Sequence, residues 1–415
     1  MGQRIAEPPI SWLMHAALSR PELISLAAGF TDNASLPVAE TRAALDQVLH
    51  SPESGRPALQ YGSTAGDTTL RRLTARHVQK LDGVTAHDRF HSPERLLITS
   101  GSQQLLYMAT EALCDEDDIV LVEDPTYFVF LSILQSRGVR ARGVRLERDG
   151  LDLDHLAAVL LSLKHNGQLR RVKMLYLVSY FQNPTGVTTG FEKKAAAAKL
   201  LKKFEHAAGH PIYLLEDAAY RGLRFAGRDV PSALTTRGAA DRVIYTGTFS
   251  KPFATGARVG YGILPEPVYT AVLRIKGNHD FGTANLLQQL FVRALTSGSY
   301  AQHGDRLRKR YAHKARVMKQ AIERHFPADV EWWEPEGGLY FWARLPRHIP
   351  TGVKSKVFRA ALKNDVLYVP GELCYPDDPA RRKPNHEMRI SFGNASENGI
   401  REGIRRLGEV LQKFL

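Results

Sequence analysis

Between residues 92 and 265, short apolar runs rich in β-branched residues alternate with longer stretches whose apolar positions recur every three to four residues. The short runs predict buried strands at 95–99, 118–123, 139–146, 172–179, 212–215 and 243–246. The longer stretches predict helices at 101–113, 127–136, 153–164 and 191–207. Parallel neighbours need long crossover connections, so this alternation predicts an α/β fold: a mostly parallel sheet wrapped by helices.

The pattern differs on either side. Residues 12–18 predict a short helix that Pro21 breaks, and Gly29 with Leu36-Pro37 predicts an arm lying across the molecule. Residues 59–66 read as a loop and 67–78 as a helix. Past 265, helices are predicted at 286–295, 300–325, 353–363 and 397–413. Strands are predicted at 330–333, 339–345, 366–369 and 388–392, the first two flanking the turn Pro335-Glu-Gly-Gly338. The chain is therefore expected to divide into an arm with part of a small domain (1–45), a large domain (46–295) and a smaller α+β domain (296–415).

Composition narrows the class. The 415 residues are 43% hydrophobic and 24% charged, ordinary for a globular chain with a sizeable core. No apolar run approaches a transmembrane length, and the N-terminus lacks a signal-peptide core. Met1-Gly2 opens like a myristoylation site, but position 6 is Ala. Two cysteines, Cys114 and Cys374, make no disulfide framework and fit a cytoplasmic protein. The net charge of +13 is scattered, and its densest runs, 137–148 and 306–319, read as solvated faces. No nucleic-acid or membrane partner is expected.

Candidate chemistry gathers at the strand ends, where α/β sheets place their sites. Lys251 follows the predicted strand 243–246, with Thr248 and Ser250 before it and Arg258 seven residues after it. A lysine among apolar residues is a candidate nucleophile, and hydroxyls with an arginine suit a phosphate monoester. Ser100-Gly-Ser-Gln-Gln104 opens a helix, as a phosphate site or as a plain cap. Tyr127, in Asp124-Pro-Thr-Tyr127, is either a core aromatic or a ring to lie flat on another. Asn183-Pro-Thr-Gly186 is a tight turn presenting an amide. Asp217 closes an apolar strand with Tyr220 three residues on, a turn carboxylate or a partner for a pyridine nitrogen. Arg389 lies between apolar residues, suited to a structural ion pair or to bidentate capture of a carboxylate. His206 and His210 have no glutamate between them placed as in a metalloprotease helix, and no metal site is expected. Gly256, Gly260 and Gly262 do not form a dinucleotide fingerprint.

In their joint order these motifs resemble the fold type I, pyridoxal-phosphate-dependent aminotransferases of class I/II, over residues 24–413. Ala58-Leu-Gln-Tyr61 and Gly337-Gly-Leu-Tyr-Phe-Trp342 are similar to the branch containing aminoadipate, kynurenine and aromatic aminotransferases. The resemblance implies a seven-stranded type of sheet and pyridoxal 5'-phosphate as cofactor. It implies that Lys251 bonds the cofactor and shuttles the proton, that Asp217 pairs with the pyridine nitrogen and that Asn183 and Tyr220 bind the ring oxygen. Tyr127 then stacks on the ring, while Ser102, Gln103, Thr248, Ser250 and Arg258 hold the phosphate. Gly29, Asn183 and Arg389 line the substrate side, with Arg389 taking the α-carboxylate. The implied substrates are an L-amino acid, aromatic, aminoadipate-like or of broad range, and a 2-oxo acid such as 2-oxoglutarate. The implied assembly is a homodimer with shared active sites, in which Tyr61 reaches the neighbouring cofactor's phosphate. Two features depart from the branch: Ala219 stands before Tyr220 where proline is common, and Gly29-Phe-Thr-Asp-Asn-Ala-Ser-Leu-Pro37 differs. A lyase of the same fold is the alternative within this chemistry. A transcriptional regulator with an aminotransferase-like domain would need a DNA-binding domain ahead of the arm, where about two dozen residues stand.

Overall fold

The computed structural model describes residues 22–415 together with 11, 19 and 20. The helix expected at 12–18 and its break at Pro21 lie outside the described residues.

The apolar runs pair into one sheet. Its strands are β2 (Leu96–Thr99), β3 (Ile119–Asp124), β4 (Arg140–Glu147), β5 (Gly150–Leu151), β6 (Val172–Val178), β7 (Tyr213–Asp217), β8 (Val243–Thr248) and β9 (Gly260–Ile263), in the order β2-β9-β8-β7-β6-β3-β4-β5. Strands β4, β3, β6, β7 and β8 run parallel, and β9 is antiparallel to both β8 and β2. Every residue of β2, β7 and β8 is buried, which is why these strands open on continuous apolar runs instead of alternating, with polar residues at their ends. Helices α4 (Ser102–Leu113), α5 (Phe128–Ser136), α6 (Leu153–His165) and α7 (Phe191–Ala208) form the crossovers. Strands β3, β6, β7 and β8 end on one edge of the sheet at Asp124, Val178, Asp217 and Thr248, and so gather the motif residues there.

A second sheet, order β10-β11-β14-β13, is antiparallel and comprises β10 (Glu331–Trp333), β11 (Tyr340–Arg344), β13 (Val369–Pro370) and β14 (Glu387–Ser391). The arm strand β1 (Ile24–Ser25) pairs in parallel with β12 (Val366–Leu367), so the N-terminal arm joins the C-terminal part of the chain. The long helix α10 (Ser299–His325) and the closing helix α12 (Glu397–Leu411) pack on each other, and α11 (Lys356–Lys363) lies beside β12.

Some elements escaped the periodicity. Helices α1 (Val38–Val48), α2 (Pro52–Leu59) and α8 (Val268–His279) and strands β1, β5 and β9 have no counterpart in the predicted pattern. In α1 only Ala44 and Val48 are buried, and α2 contains Pro57, so neither carries a full apolar stripe. Helices α3 (Thr68–Asp82) and α9 (Asn285–Thr296) fall where expected.

The basic run 306–319 is not wholly a solvated face, which corrects the expectation from sequence. Lys314 is buried and donates to Asp32 Oδ1 at 3.1 Å and to the Gly393 carbonyl at 2.6 Å, while Arg310 Nε donates to Asp32 Oδ2 at 3.2 Å. The buried Asp32 needs these cations, and together they fasten the arm to α10.

Candidate active site

The site is a cavity of about 310 Å³ at the strand-end edge. Among the described residues it is lined by Gly29, Ser102, Gln103, Tyr127, Asn183, Asp217, Tyr220, Thr248, Ser250, Lys251, Arg258 and Arg389. Twelve of the thirteen sequence-derived candidates thus converge, although they come from segments scattered over the whole chain. Tyr61 does not line the cavity of its own chain. It is 81% exposed and packs edge-on against Phe281, ring centroids 5.5 Å apart.

Lys251 follows the turn after β8. Its Nζ donates to the Gly29 carbonyl at 2.7 Å, bridging the main sheet and the arm. Burial, with Arg258 and Arg389 adding positive charge, pushes its ammonium down to about 8. A neutral, nucleophilic amine is therefore accessible near physiological pH.

Strand alternation explains Glu216 and Asp217. Glu216 points away from the cavity and pairs with the buried Lys194 at 3.0 Å. Asp217 points in, accepting from Tyr176 Oη at 3.0 Å and from the Ala219 N–H at 3.0 Å. Burial raises its carboxyl to about 6, against the pull of those two donors. Such a group shares a proton readily with a basic nitrogen placed against it.

The opposite end is an anion cradle. Helix α4 opens at Ser102 with no side chain capping its first N–H groups. Arg258 has left-handed backbone (φ 48°), and its Nη1 lies 3.5 Å from Ser250 Oγ. A Cβ on Gly101 would sit 2.6 Å from Arg258 Nη2, so glycine there leaves room for the guanidinium beside the helix start. Thr248 spends its hydroxyl on the loop, donating to the Val259 carbonyl at 3.2 Å and accepting from the Ser250 N–H at 3.0 Å.

Arg389 approaches from the small sheet. Nη1 donates to Asn183 Oδ1 at 2.7 Å and Nη2 to the Ala27 carbonyl at 2.6 Å, while the buried Nε has no partner among the described residues. The guanidinium lies 4.2 Å from the centroid of Tyr340 and 5.6 Å from that of Phe128. Asn183 Nδ2 stands 3.5 Å from Tyr220 Oη, and Tyr220 Oη stands 3.0 Å from Tyr340 Oη.

This donor set fits pyridoxal 5'-phosphate. It offers free helix N–H groups and an arginine for a phosphate, a buried carboxylate for a ring nitrogen, an amine of lowered pKa between them and an unspent Nε–H toward a carboxylate.

Sequence reasoning assigned no role to several residues of the site: Tyr176, Phe128, Tyr340 and the Asp280 support of α4. Asp280 accepts from Gln104 Nε2 at 2.8 Å and is paired to the buried Lys276 at 2.7 Å, tying α8 to the first turn of α4. The one signal available was a tyrosine within each of two largely apolar strands, at 176 and 340. Among the described residues no group of three or more His, Cys, Asp or Glu side chains forms a metal site. A wider cleft of about 1300 Å³, lined by Arg148, Trp333, Arg347 and Arg382 among others, contains none of the candidate residues.

The profile of the family described as aminotransferase class I and II matches residues 21–407. The chain is 32% identical to the 2-aminoadipate transaminase of Thermus thermophilus, over 95% of this chain and 92% of that protein. It is 32% identical to aromatic-amino-acid aminotransferase 1 of Thermococcus litoralis, over 94% and 88%. It superposes on the crystal structure of Pyrococcus horikoshii kynurenine aminotransferase, solved with PMP, with a TM-score of 0.87 and 31% identity, covering 99% of this chain and 95% of that one.

Proposed function

The chain belongs to the class I and II aminotransferases, a pyridoxal-phosphate-dependent transaminase of fold type I, and from that premise we propose the part each site residue plays. The observation that carries the reading is the convergence of Lys251, Asp217, Arg258 and Arg389 on one cavity.

Lys251 would hold the cofactor through its amine, with Asp217 at the ring nitrogen and Tyr127 against the ring face. Asn183 and Tyr220 face the ring oxygen. Ser102, Gln103, Ser250 and Arg258 take the phosphate, with Thr248 shaping the loop that carries Ser250. When bound, the cofactor supplies an electron sink for the charge left when the substrate's Cα–H bond breaks. Arg389 orients the substrate through its α-carboxylate, using the free Nε–H and the adjacent Nη–H, and Gly29 leaves space beside it. Fixing that carboxylate fixes which Cα bond faces Lys251. Lys251, its nitrogen freed, is the base that removes the Cα proton, and its pKa of about 8 suits that exchange.

Phe30, Leu106, Phe128 and Val129 supply apolar wall. This lining supports an aromatic or broad range of amino donors, the class to which the aromatic and kynurenine aminotransferase relatives belong. The domain division at about 295 follows the passage from the main sheet into α10. Two buried, unpaired cysteines support a cytoplasmic setting.

The assembly is a homodimer. Val38, Leu59, Tyr61 and Phe281 are exposed large apolar residues, and α1 and α2 both pack on α9. A second copy related by a two-fold axis would cover these side chains and bring Tyr61 to the partner's phosphate site.

A panel of amino donors with 2-oxoglutarate, read by the 2-oxo acid formed, tests the activity. Aromatic donors are expected to be turned over. Failure of every donor, with cofactor bound, would refute the reading of the site.

A further inference from the structure

Tyr340 occupies a place that none of the motif residues explains. It lies in β11, 1% exposed, opposite Ser391 of β14, while Trp342 lies opposite Arg389. Residues two apart on a strand share a face, so Tyr340 is the diagonal neighbour of Arg389 on the cavity side. Its ring covers the guanidinium at 4.2 Å, and its hydroxyl crosses to the large domain, 3.0 Å from Tyr220 Oη. Gly29 makes that reach possible: a Cβ there would stand 2.6 Å from Tyr340 Oη.

We propose that Tyr340 is a positioning residue whose hydroxyl donates to Tyr220 and so directs the single Tyr220 proton into the cavity. The inference rests on the reading that Tyr220 faces the ring oxygen. A tyrosine hydroxyl donates once and accepts twice. Asn183 Nδ2, at 3.5 Å, can only donate to Tyr220. With Tyr340 donating as well, both acceptor positions of Tyr220 are filled from the protein, and its own O–H has only the cavity left. Tyr340 has a proton free for this: Arg389 can only donate and lies over the ring, and Tyr220 is the hydrogen-bond partner of the Tyr340 hydroxyl among the described residues. The four side chains close a loop: Arg389 to Asn183, Asn183 to Tyr220, Tyr220 to Tyr340, and the Tyr340 ring back onto Arg389. Asn183 and Tyr220 belong to the main sheet's edge, and Tyr340 and Arg389 to the small sheet. The loop therefore links the group that reads the substrate carboxylate to the hydrogen bond facing the cofactor ring.

The test is a pH titration of the bound cofactor's visible absorbance in the holoenzyme. A donor aimed at the ring oxygen stabilises its negatively charged form, so losing that aim raises the apparent pKa. Tyr340→Phe keeps the ring over Arg389 and removes only the hydroxyl. It is expected to raise the pKa by about 0.3–1 unit, the size of one neutral hydrogen bond. Tyr220→Phe should raise it further, and the double variant should match Tyr220→Phe alone. Calorimetric binding of 3-phenylpropanoate, an unreactive carboxylate, should stay within about twofold in Tyr340→Phe because the cation–π contact remains. Gly29→Ala offers an independent route, since it displaces the hydroxyl without deleting it, and should shift the pKa in the same direction. A shift in Tyr220→Phe with none in Tyr340→Phe would overturn the proposal, as would fully additive shifts in the double variant. No shift in either single variant would remove the reading of Tyr220 and the proposal with it.

Discussion

Arg389 Nη1 donates to Asn183 Oδ1 at 2.7 Å, a fully buried bond between residues 206 positions apart. It ties the small antiparallel sheet to the turn at the end of β6, directly at the cavity. Arg389→Lys keeps the charge but cannot hold Asn183, the Ala27 carbonyl and a substrate carboxylate together. KM for amino donors should rise roughly 10–100-fold, the loss of a charge-assisted hydrogen bond. Steady-state kinetics across the donor panel check this, and an unchanged KM for every donor would refute carboxylate capture by Arg389.

Lys251→Ala removes both the amine that holds the cofactor and the base. The visible absorbance of the lysine-bound cofactor should vanish, and kcat should fall by a factor on the order of 10³ or more. Turnover at the wild-type rate would contradict the assignment.

Asp217→Ala should still bind cofactor through the phosphate cradle and Lys251. With the ring nitrogen no longer held protonated, the sink is poorer, and kcat should drop by about 10²-fold or more, as when a single preorganised electrostatic partner is lost. A defect confined to KM would count against this role.

His91 is buried, with Nε2 2.7 Å from Asp82 and Nδ1 2.8 Å from Asp88. Burial alone would push its pKa down, but the bonds to Asp82 and Asp88 outweigh it, and the folded value is raised. Asp82 also pairs with Arg221 at 2.8 Å, and although burial opposes ionisation, these partners hold its carboxyl down at about 2. The His91 contribution is complete below its unfolded pKa of about 6.5 and disappears as pH rises through the folded value. The Asp82 contribution is complete above about 3.9 and is lost as pH falls toward 2. His91→Asn should therefore destabilise the chain by about 3–5 kcal/mol near pH 6, the cost of stranding buried charge, and by less at pH 9. Urea unfolding of both proteins across that range measures the difference. A gap that stays constant with pH would show that His91 is not charged in the fold.

Subunit exchange tests the shared site. Tyr61→Phe should weaken cofactor binding, and Lys251→Ala should be inactive. In a mixed dimer one site carries both defects and the other carries neither. Mixing the two variants should restore activity toward one wild-type site per mixed dimer. A monomer by sedimentation, or no gain after verified exchange, would reject the shared site.

The alternation that frames the large domain was legible because its strands are buried on both faces and its helices on one, which writes burial directly into residue type. The motif residues were legible for a related reason. Strand-end turns restrict the backbone, and the chemistry restricts side chains to Lys, Asp, Asn and Arg at set distances along the chain. Periodicity could not reveal α1, α2, α8 or β9, whose short or interrupted apolar faces take their place from neighbours far away in sequence. Nor could it show that Lys314, inside a basic run, is buried against Asp32, because a lysine reads the same whether solvated or paired. Only the tertiary structure decided that Arg389 meets Asn183, that Tyr176 steadies Asp217 and that Tyr340 reaches Tyr220. The first and third join the small sheet to turns of the main sheet and the second joins neighbouring strands 41 positions apart, and their hydrogen bonds depend on distances of a few tenths of an ångström that packing sets and local sequence does not encode.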